Sequence, residues 1–80
     1  GSFGSESTWK IINIENFPNS RVSVYNRNGQ LVFRKKAYQN DWNGLFQETG
    51  KLLPAGPYYF IVEIIQTGEL KKGWLYLNYK

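Results

Sequence analysis

Hydrophobic side chains alternate with a period of two along residues 57–66. One set of alternate positions contains the hydrophobic residues Tyr58, Phe60, Val62 and Ile64. The other set contains Glu63, which marks it as the wetter side, so the first set is predicted to face the core. This period is typical of a β-strand, and no stretch of the sequence has the helical period over a useful length. The chain is therefore predicted to be all-β.

Shorter β-rich runs separated by turn signals make up most of the remaining sequence, as in a sandwich or barrel. Besides 57–66, the predicted strands cover residues 9–14, 21–26, 30–35, 51–53 and 70–79. Within the last of them, Leu75 and Leu77 are predicted to face inward. Trp74, Tyr76 and Asn78 alternate with them and are predicted to face outward. We expect an immunoglobulin-like antiparallel β-sandwich of about seven short strands.

Two turns carry recognisable signals. The dipeptide Asn28-Gly29 lies between two predicted strands and indicates a type I′ hairpin, because both residues tolerate positive φ. The segment from Leu53 to Tyr58 has the L-x-x-G-x-Y pattern of a tyrosine corner. In that motif the tyrosine hydroxyl bonds back to the preceding connection, and Gly56 stands where the chain bends around the ring.

Residues 36–53 are polar and irregular, yet they include Tyr38 and Trp42. Large aromatic side chains in such a crossover are predicted to fold inward and cover the sandwich. The alternative for Trp42 is a platform on which a sugar ring stacks. Arg27 is predicted to be a solvated residue of the hairpin turn, and the alternative is a contact with an anionic ligand.

The 80 residues contain no cysteine and no histidine. This composition removes disulfides, thiolate nucleophiles, the commonest general base and the commonest zinc ligand. Asp41 and Glu48 lie in one loop, but a glycosidase-like pair also requires a cleft, which so thin a domain is not expected to supply. The serine and threonine hydroxyls have no base to activate them. We therefore expect neither an enzyme nor a bound metal or cofactor.

The net charge is +4, and the basic residues are dispersed along the sequence. Two lysine pairs, Lys35-Lys36 and Lys71-Lys72, lie at predicted strand ends, where they are expected to protect sheet edges. One pair, Lys71-Lys72, shares a hairpin with Trp74 and Tyr76, which is also the pattern of single-stranded nucleic-acid binders. Since the charge density is modest and no RNA-binding signature is present, nucleic-acid binding is a minor alternative.

Several short motifs occur in a defined order. They are Asn26-Arg27-x-Gly29, Trp42-Asn43-Gly44, Pro54-x-Gly56-x-Tyr58 and Gly73-x-Leu75-x-Leu77. No single motif is specific, but their order and spacing over residues 8–80 closely resemble the gliding-motility-associated C-terminal domain, the type B sorting domain of type IX secretion. The sequence departs from this family at Asn28, which replaces the usual tryptophan, and at Pro57, which replaces threonine. Tyr79-Lys80 replaces the usual arginine near the end.

The resemblance implies a non-catalytic C-terminal secretion and sorting signal on a larger cargo protein. Such domains fold in the periplasm and are recognised by the type IX outer-membrane translocon, which exports the cargo to the cell surface or the medium. The resemblance also implies a dedicated outer-membrane partner protein, without nucleic acid, cofactor or direct membrane insertion. Residues 8–80 are interpreted as this domain, and residues 1–7 as a flexible leader or cloning remnant.

A signal that is read as a folded object requires a rigid surface and an accessible edge. We expect the last strand to provide this edge, since a partner strand can extend it. The candidate recognition residues are Lys71, Lys72, Trp74, Tyr76, Tyr79 and Lys80. Structural roles are assigned to the motif residues Asn26, Arg27, Gly29, Trp42, Gly44, Gly56, Tyr58 and Gly73. The alternatives are a carbohydrate-binding or adhesive module, with Trp42 or Trp74 stacking on sugar, and a passive spacer domain.

Overall fold

A computed structural model describes residues 2–3, 8–11 and 13–78. These residues form one sheet with five strands, β1 (Ser2–Phe3), β2 (Ser20–Tyr25), β3 (Leu31–Lys36), β4 (Gly56–Ile64) and β5 (Glu69–Leu77). The spatial order is β1-β5-β4-β2-β3. Strands β2 to β5 pair antiparallel, whereas the short β1 runs parallel to β5. One turn of 3₁₀ helix, Ile14–Asn16, precedes β2. The all-β class is confirmed.

The hairpin between β2 and β3 is confirmed, but the predicted type I′ turn is wrong. Gly29 has φ 83°, whereas Asn28 does not adopt positive φ. The Gly29 N–H donates to the Asn26 carbonyl at 2.9 Å, as in a type I turn that is followed by a left-handed residue. The Asn26 side-chain oxygen also accepts the N–H groups of Asn28 and Gln30, at 3.0 and 2.9 Å. These bonds stabilise the type I turn instead of the type I′ turn.

Strands β4 and β5 form the longest pair, in register from Gly56 opposite Leu77 to Ile64 opposite Glu69. The predicted inward set of β4 is confirmed, since its members are buried or packed against the core: Tyr58, Phe60, Val62 and Ile64. On β5, Leu75 and Leu77 are buried, whereas Trp74 and Tyr76 are exposed. We call the buried side of the sheet the covered face and the other side the open face.

The covered face is closed by irregular connections. Tyr38 and Trp42 fold inward as predicted, and both are buried. The Trp42 ring stacks on Phe33 with a centroid distance of 5.0 Å. Trp9 lies beside both aromatic residues of the crossover, with centroid distances of 5.2 Å to Tyr38 and 6.3 Å to Trp42. Burial of Trp42 in this cluster rules out the sugar-platform alternative for its ring.

The seven-strand immunoglobulin-like sandwich is not confirmed, because the described residues form a single sheet. The predicted strand at 9–14 is wrong. There, the Trp9 N–H donates to the Trp42 carbonyl, the Ile11 N–H donates to the Asn40 side chain, both at 2.8 Å, and Asn13 has φ 65°. These bonds tie the segment to the crossover instead of to a strand. The predicted strand at 51–53 is reduced to one bridge between Leu45 and Leu52.

The sheet begins earlier than the sequence indicated. Ser2 and Phe3, which lie in the segment interpreted as a leader, pair with Tyr76 and Leu77 of β5. The physical reason is that β5 would otherwise be an edge strand along its whole length, with unpaired backbone groups that attract a further strand. The other residues of the 1–7 segment lie outside the described residues, as do the candidate site residues Tyr79 and Lys80.

Candidate recognition surface

Strand β5 has an accessible side. Its partner on that side, β1, is opposite only Tyr76 and Leu77. The described residues leave positions 69–75 without a neighbouring strand there. Unpaired backbone groups along such a stretch can accept a strand from another protein.

The opposite edge of the sheet is blocked at its centre by Gln47. The Gln47 side-chain oxygen accepts the Arg34 N–H at 3.0 Å, and its amide nitrogen donates to the Arg34 carbonyl at 2.8 Å. The Gln47 N–H donates to the carbonyl of Val32 at 3.0 Å. These bonds use the outward groups of β3 that a partner strand would need. The two edges of the sheet are therefore not equivalent.

The sequence-predicted recognition residues divide between the two faces. Lys72 and Trp74 are opposite Ile61 and Tyr59, and Tyr76 follows two positions later, so all three point to the open face. Trp74 and Tyr76 are 56% and 53% exposed, and the Trp74 ring makes an edge contact with Tyr59 at 5.2 Å. By contrast, Lys71 is opposite the buried Val62 and projects on the covered face.

Sequence reasoning missed three residues that share the open face with Trp74. Tyr59 lies on the predicted wetter side of its strand, and the sequence predicts no recognition role for Tyr59, Tyr25 or Arg34. The register aligns Tyr25 with Tyr59, and Ser23 with Arg34, on this face. The signal was present, because these positions alternate with core positions of the same strands. What the sequence did not reveal is that the strands are neighbours.

The remaining motif residues stabilise loops. The Trp42 indole N–H donates to the Leu45 carbonyl at 2.8 Å, and the Leu53 N–H donates to the Gly44 carbonyl at 2.9 Å. Gly44 has φ 95°, a conformation that favours glycine. Arg27 is exposed in the hairpin loop.

The tyrosine corner has the expected bond. The Tyr58 hydroxyl donates to the Pro54 carbonyl at 2.8 Å, and Gly56 between them has φ 137°. This φ is accessible to glycine and strained for other residues. The bond ties the end of the crossover to the beginning of β4, which is opposite the end of β5.

Tyr38 bridges two backbone segments in the core. Its hydroxyl donates to the Trp9 carbonyl at 2.6 Å and accepts the Trp42 N–H at 2.9 Å. Burial raises the pKa of the Tyr38 phenol, the Trp42 hydrogen bond opposes that shift, and the charge of Asp41 adds to it. The phenol therefore stays protonated and acts as a structural bridge between the crossover and residues 8–11.

A groove of ≈ 480 Å³ lies on the covered face beside β5. Its lining is mainly apolar and includes Ile11, Phe17, Phe60 and Leu75, together with Lys10, Lys71 and Lys72. Lys72 borders the groove from the edge strand, and the register places its side chain on the open face. Among residues 8–11 and 13–78, no group of three or more histidine, cysteine, aspartate or glutamate side chains is placed to hold a metal ion. Within the same part of the chain, no helix has the length and apolar character needed to cross a membrane.

Comparison with known proteins identifies the family. A family model described as the CHU_C type IX secretion signal domain matches residues 3–77. No curated protein and no solved structure matches the chain significantly. The matched residues extend from β1 to the last residue of β5. Membership implies export of the attached protein to the cell surface or medium, and contact with the secretion machinery. The chain belongs to the type IX secretion signal domain family and is a type B C-terminal sorting domain.

Proposed function

We propose that residues 8–80 form a non-catalytic C-terminal sorting signal that is read as a folded body. The domain folds in the periplasm, still attached to its cargo. The type IX outer-membrane translocon, together with a dedicated outer-membrane partner protein, then recognises the domain and exports the cargo to the surface. The observation that carries this proposal is the family match over residues 3–77.

The fold supports recognition of a folded domain rather than of a linear peptide. The family motifs are spread along the sequence, and the pairing of β4 with β5 places Tyr58 of one motif opposite Leu75 of another. The bond from Tyr38 to Trp9 likewise joins residues that are 29 positions apart. A linear signal would not require these distant contacts. Gln47 blocks the β3 edge of the sheet, whereas most of the β5 edge is accessible, and this difference supports β5 as the recognised element. The candidate residues are Lys71, Lys72, Trp74 and Tyr76 on the strand and Tyr79 and Lys80 after it.

The test is a reporter protein that carries a periplasmic export signal and is fused ahead of this domain, expressed in a bacterium with a type IX system. We expect the reporter on the surface or in the medium, and in the periplasm when the domain is omitted. A matched fusion with Val22→Asp places a charge at a position with 0% exposure and should unfold the domain. Export of this unfolded variant at the wild-type level would contradict recognition of the folded body.

The role of the β5 edge is tested by two lysines at opposite ends of the covered face. Lys71 lies on β5 opposite Val62, and Lys35 lies on β3 opposite Val22. A strand added to β5 contacts Lys71 but not Lys35. We expect Lys71→Glu to lower reporter export several-fold and Lys35→Glu to leave it unchanged. Equal effects of the two variants would argue against the β5 edge.

An adhesive or carbohydrate-binding module is the second candidate. The exposed ring of Trp74, which is 56% accessible beside Tyr59, favours it, since aromatic faces stack on sugars. A glycan array probed with the folded domain tests this candidate. Binding that is lost in Trp74→Ala would support it, and a blank array would exclude it for the sugars on the array.

A further inference from the structure

The open face carries a row of aromatic side chains at one end. The strand register aligns Tyr25, Tyr59 and Trp74 across three neighbouring strands, and Tyr76 follows on β5. Trp74 and Tyr76 are more than half exposed, and Trp74 contacts the edge of Tyr59. Exposed aromatic groups of this kind on a small domain mark an interaction surface, because they remain in contact with water unless a partner covers them.

The same face is positively charged. Arg21, Arg34, Lys36 and Lys72 project from it, and Glu63 is the one carboxylate that the register of the described strands places among them. Glu63 pairs with Arg21 at 3.8 Å, and both side chains are about half exposed. The cations of Arg34, Lys36 and Lys72 have no ion pair among the described residues. Among the described residues, the charge of the open face is therefore not balanced.

We propose that the open face is the docking surface for an acidic protein surface of the outer-membrane secretion machinery. This inference rests on the proposed sorting function and identifies the face through which the domain is bound. Arginine, tyrosine and tryptophan are the residues that most often dominate binding at protein interfaces, and all three occur here. Complementary charge favours an acidic partner, and like charge disfavours a basic one.

A second copy of the chain is a poorer occupant of this face. In a two-fold symmetric dimer each patch meets its own copy. Such an arrangement would bring the unpaired cations of Arg34, Lys36 and Lys72 towards the same cations of the other copy. Like charges that face each other across an interface oppose association.

Docking on the open face is separable from strand addition at the β5 edge. Arg34 and Lys36 lie on β3, which is separated from β5 by β4 and β2. With adjacent strands about 4.8 Å apart, β3 is about 14 Å from β5. A strand added to β5 would not reach these two cations, whereas a partner that covers the open face would contact them.

The experiment uses the reporter fusion with two double variants of equal charge change. Arg34→Glu with Lys36→Glu reverses two cations of the open face. Lys35→Glu with Lys51→Glu reverses two exposed cations elsewhere, one on the covered side of β3 and one in the crossover. We expect export to fall by about tenfold or more in the first variant and to stay near wild type in the second. Thermal unfolding followed by circular dichroism confirms that both variants are folded.

Five results would overturn the proposal. Wild-type export by the open-face variant, with loss in Lys71→Glu, would assign recognition to the β5 edge alone. Equal losses in both double variants would indicate a response to net charge. A dimer in sedimentation experiments that Trp74→Ala dissociates would make a second copy the occupant, and glycan binding lost in Trp74→Ala would make it a sugar. Retention of the unmodified fusion in the periplasm would remove the sorting function itself, which none of the other results does.

Discussion

Gly73 of β5 lies directly beneath the ring of Phe60, its partner on β4. A Cβ atom at position 73 would come within 2.8 and 2.9 Å of two carbon atoms of that ring, closer than side chains normally approach. The ring also contacts Trp9, with a centroid distance of 5.4 Å. The absence of a side chain at Gly73, a residue of the family motif, therefore leaves the space that the Phe60 ring occupies.

Gly73→Ala should destabilise the domain by about 1 kcal/mol. Forcing a methyl group against a packed ring costs about 1–3 kcal/mol, and the lower entropy of an unfolded alanine offsets about 0.4–1 kcal/mol of it. Urea unfolding of the two proteins measures the difference. In a Phe60→Leu background the clash is relieved, so the same glycine substitution should cost little or stabilise. Equal costs in both backgrounds would mean that the two residues are not coupled.

Tyr58→Phe should lower the free energy of unfolding by about 1 kcal/mol, the usual value of a side-chain hydrogen bond. The variant keeps the buried ring but removes the donor to the Pro54 carbonyl, leaving that acceptor without this bond. Tyr59→Phe, on the open face of the same strand, is the matched control and should change stability by less than about 0.5 kcal/mol. A similar loss in both variants would show that the corner bond contributes nothing specific.

Stability should fall at alkaline pH because of Tyr38. Burial raises the pKa of its phenol above the ordinary value of 10.0, so the folded state keeps a proton that the unfolded state releases. The contribution is complete below pH 10.0 and is lost as the pH rises towards the folded pKa, with a limiting slope of about 1.4 kcal/mol per pH unit. Urea unfolding between neutral and strongly alkaline pH measures this slope.

Tyr38→Phe should remove this component of the alkaline slope. At neutral pH the same variant should be less stable by about 1–3 kcal/mol, because the Trp9 carbonyl and the Trp42 N–H lose their shared partner. Identical slopes above pH 10.0 in the variant and the wild type would contradict the assignment of that slope to Tyr38.

Ser20→Ala should leave the domain equally stable or more stable by up to about 1 kcal/mol. The Ser20 hydroxyl is fully buried and has no hydrogen-bond partner among the described residues, and burial of an unpaired hydroxyl is unfavourable. Ser23→Ala is the control, because the Ser23 hydroxyl accepts a bond from Arg34 at 3.3 Å. We expect the control to lose a few tenths of a kcal/mol to about 1 kcal/mol. A larger loss in Ser20→Ala would reveal a partner for its hydroxyl.

Local sequence signals predicted those parts of the fold in which the chain interacts with its near neighbours. The alternation along residues 57–66 predicted the covered face of β4, and the pattern from Leu53 to Tyr58 predicted the corner bond. The hairpin is predicted correctly as well, but the predicted type I′ turn is wrong. The choice depends on the Asn26 side chain, which bonds to two backbone N–H groups and so selects a turn that the Asn28-Gly29 pair alone does not specify.

Predictions failed where a segment bonds to a distant one. Residues 9–14 contain apolar and β-branched residues that suit a strand, yet the Trp9 and Ile11 N–H groups bond to residues of the crossover. The pairing of Ser2–Phe3 with β5 is likewise a contact between the two ends of the sequence. Tertiary packing decides which distant backbone groups bond to each other, and neither composition nor periodicity predicts these pairs.

The sequence by itself determined the all-β class, the residues that β4 and β5 bury, and the motifs that mark a type IX secretion signal domain. Side-chain alternation and turn residues are local features, so they can be recognised in the sequence alone. Only the tertiary structure decided that the described residues form a single sheet under an aromatic crossover, and that Tyr25, Arg34 and Trp74 lie on one face. The neighbours of a strand depend on which backbone groups pair across the whole chain, and that pairing is settled when the core packs.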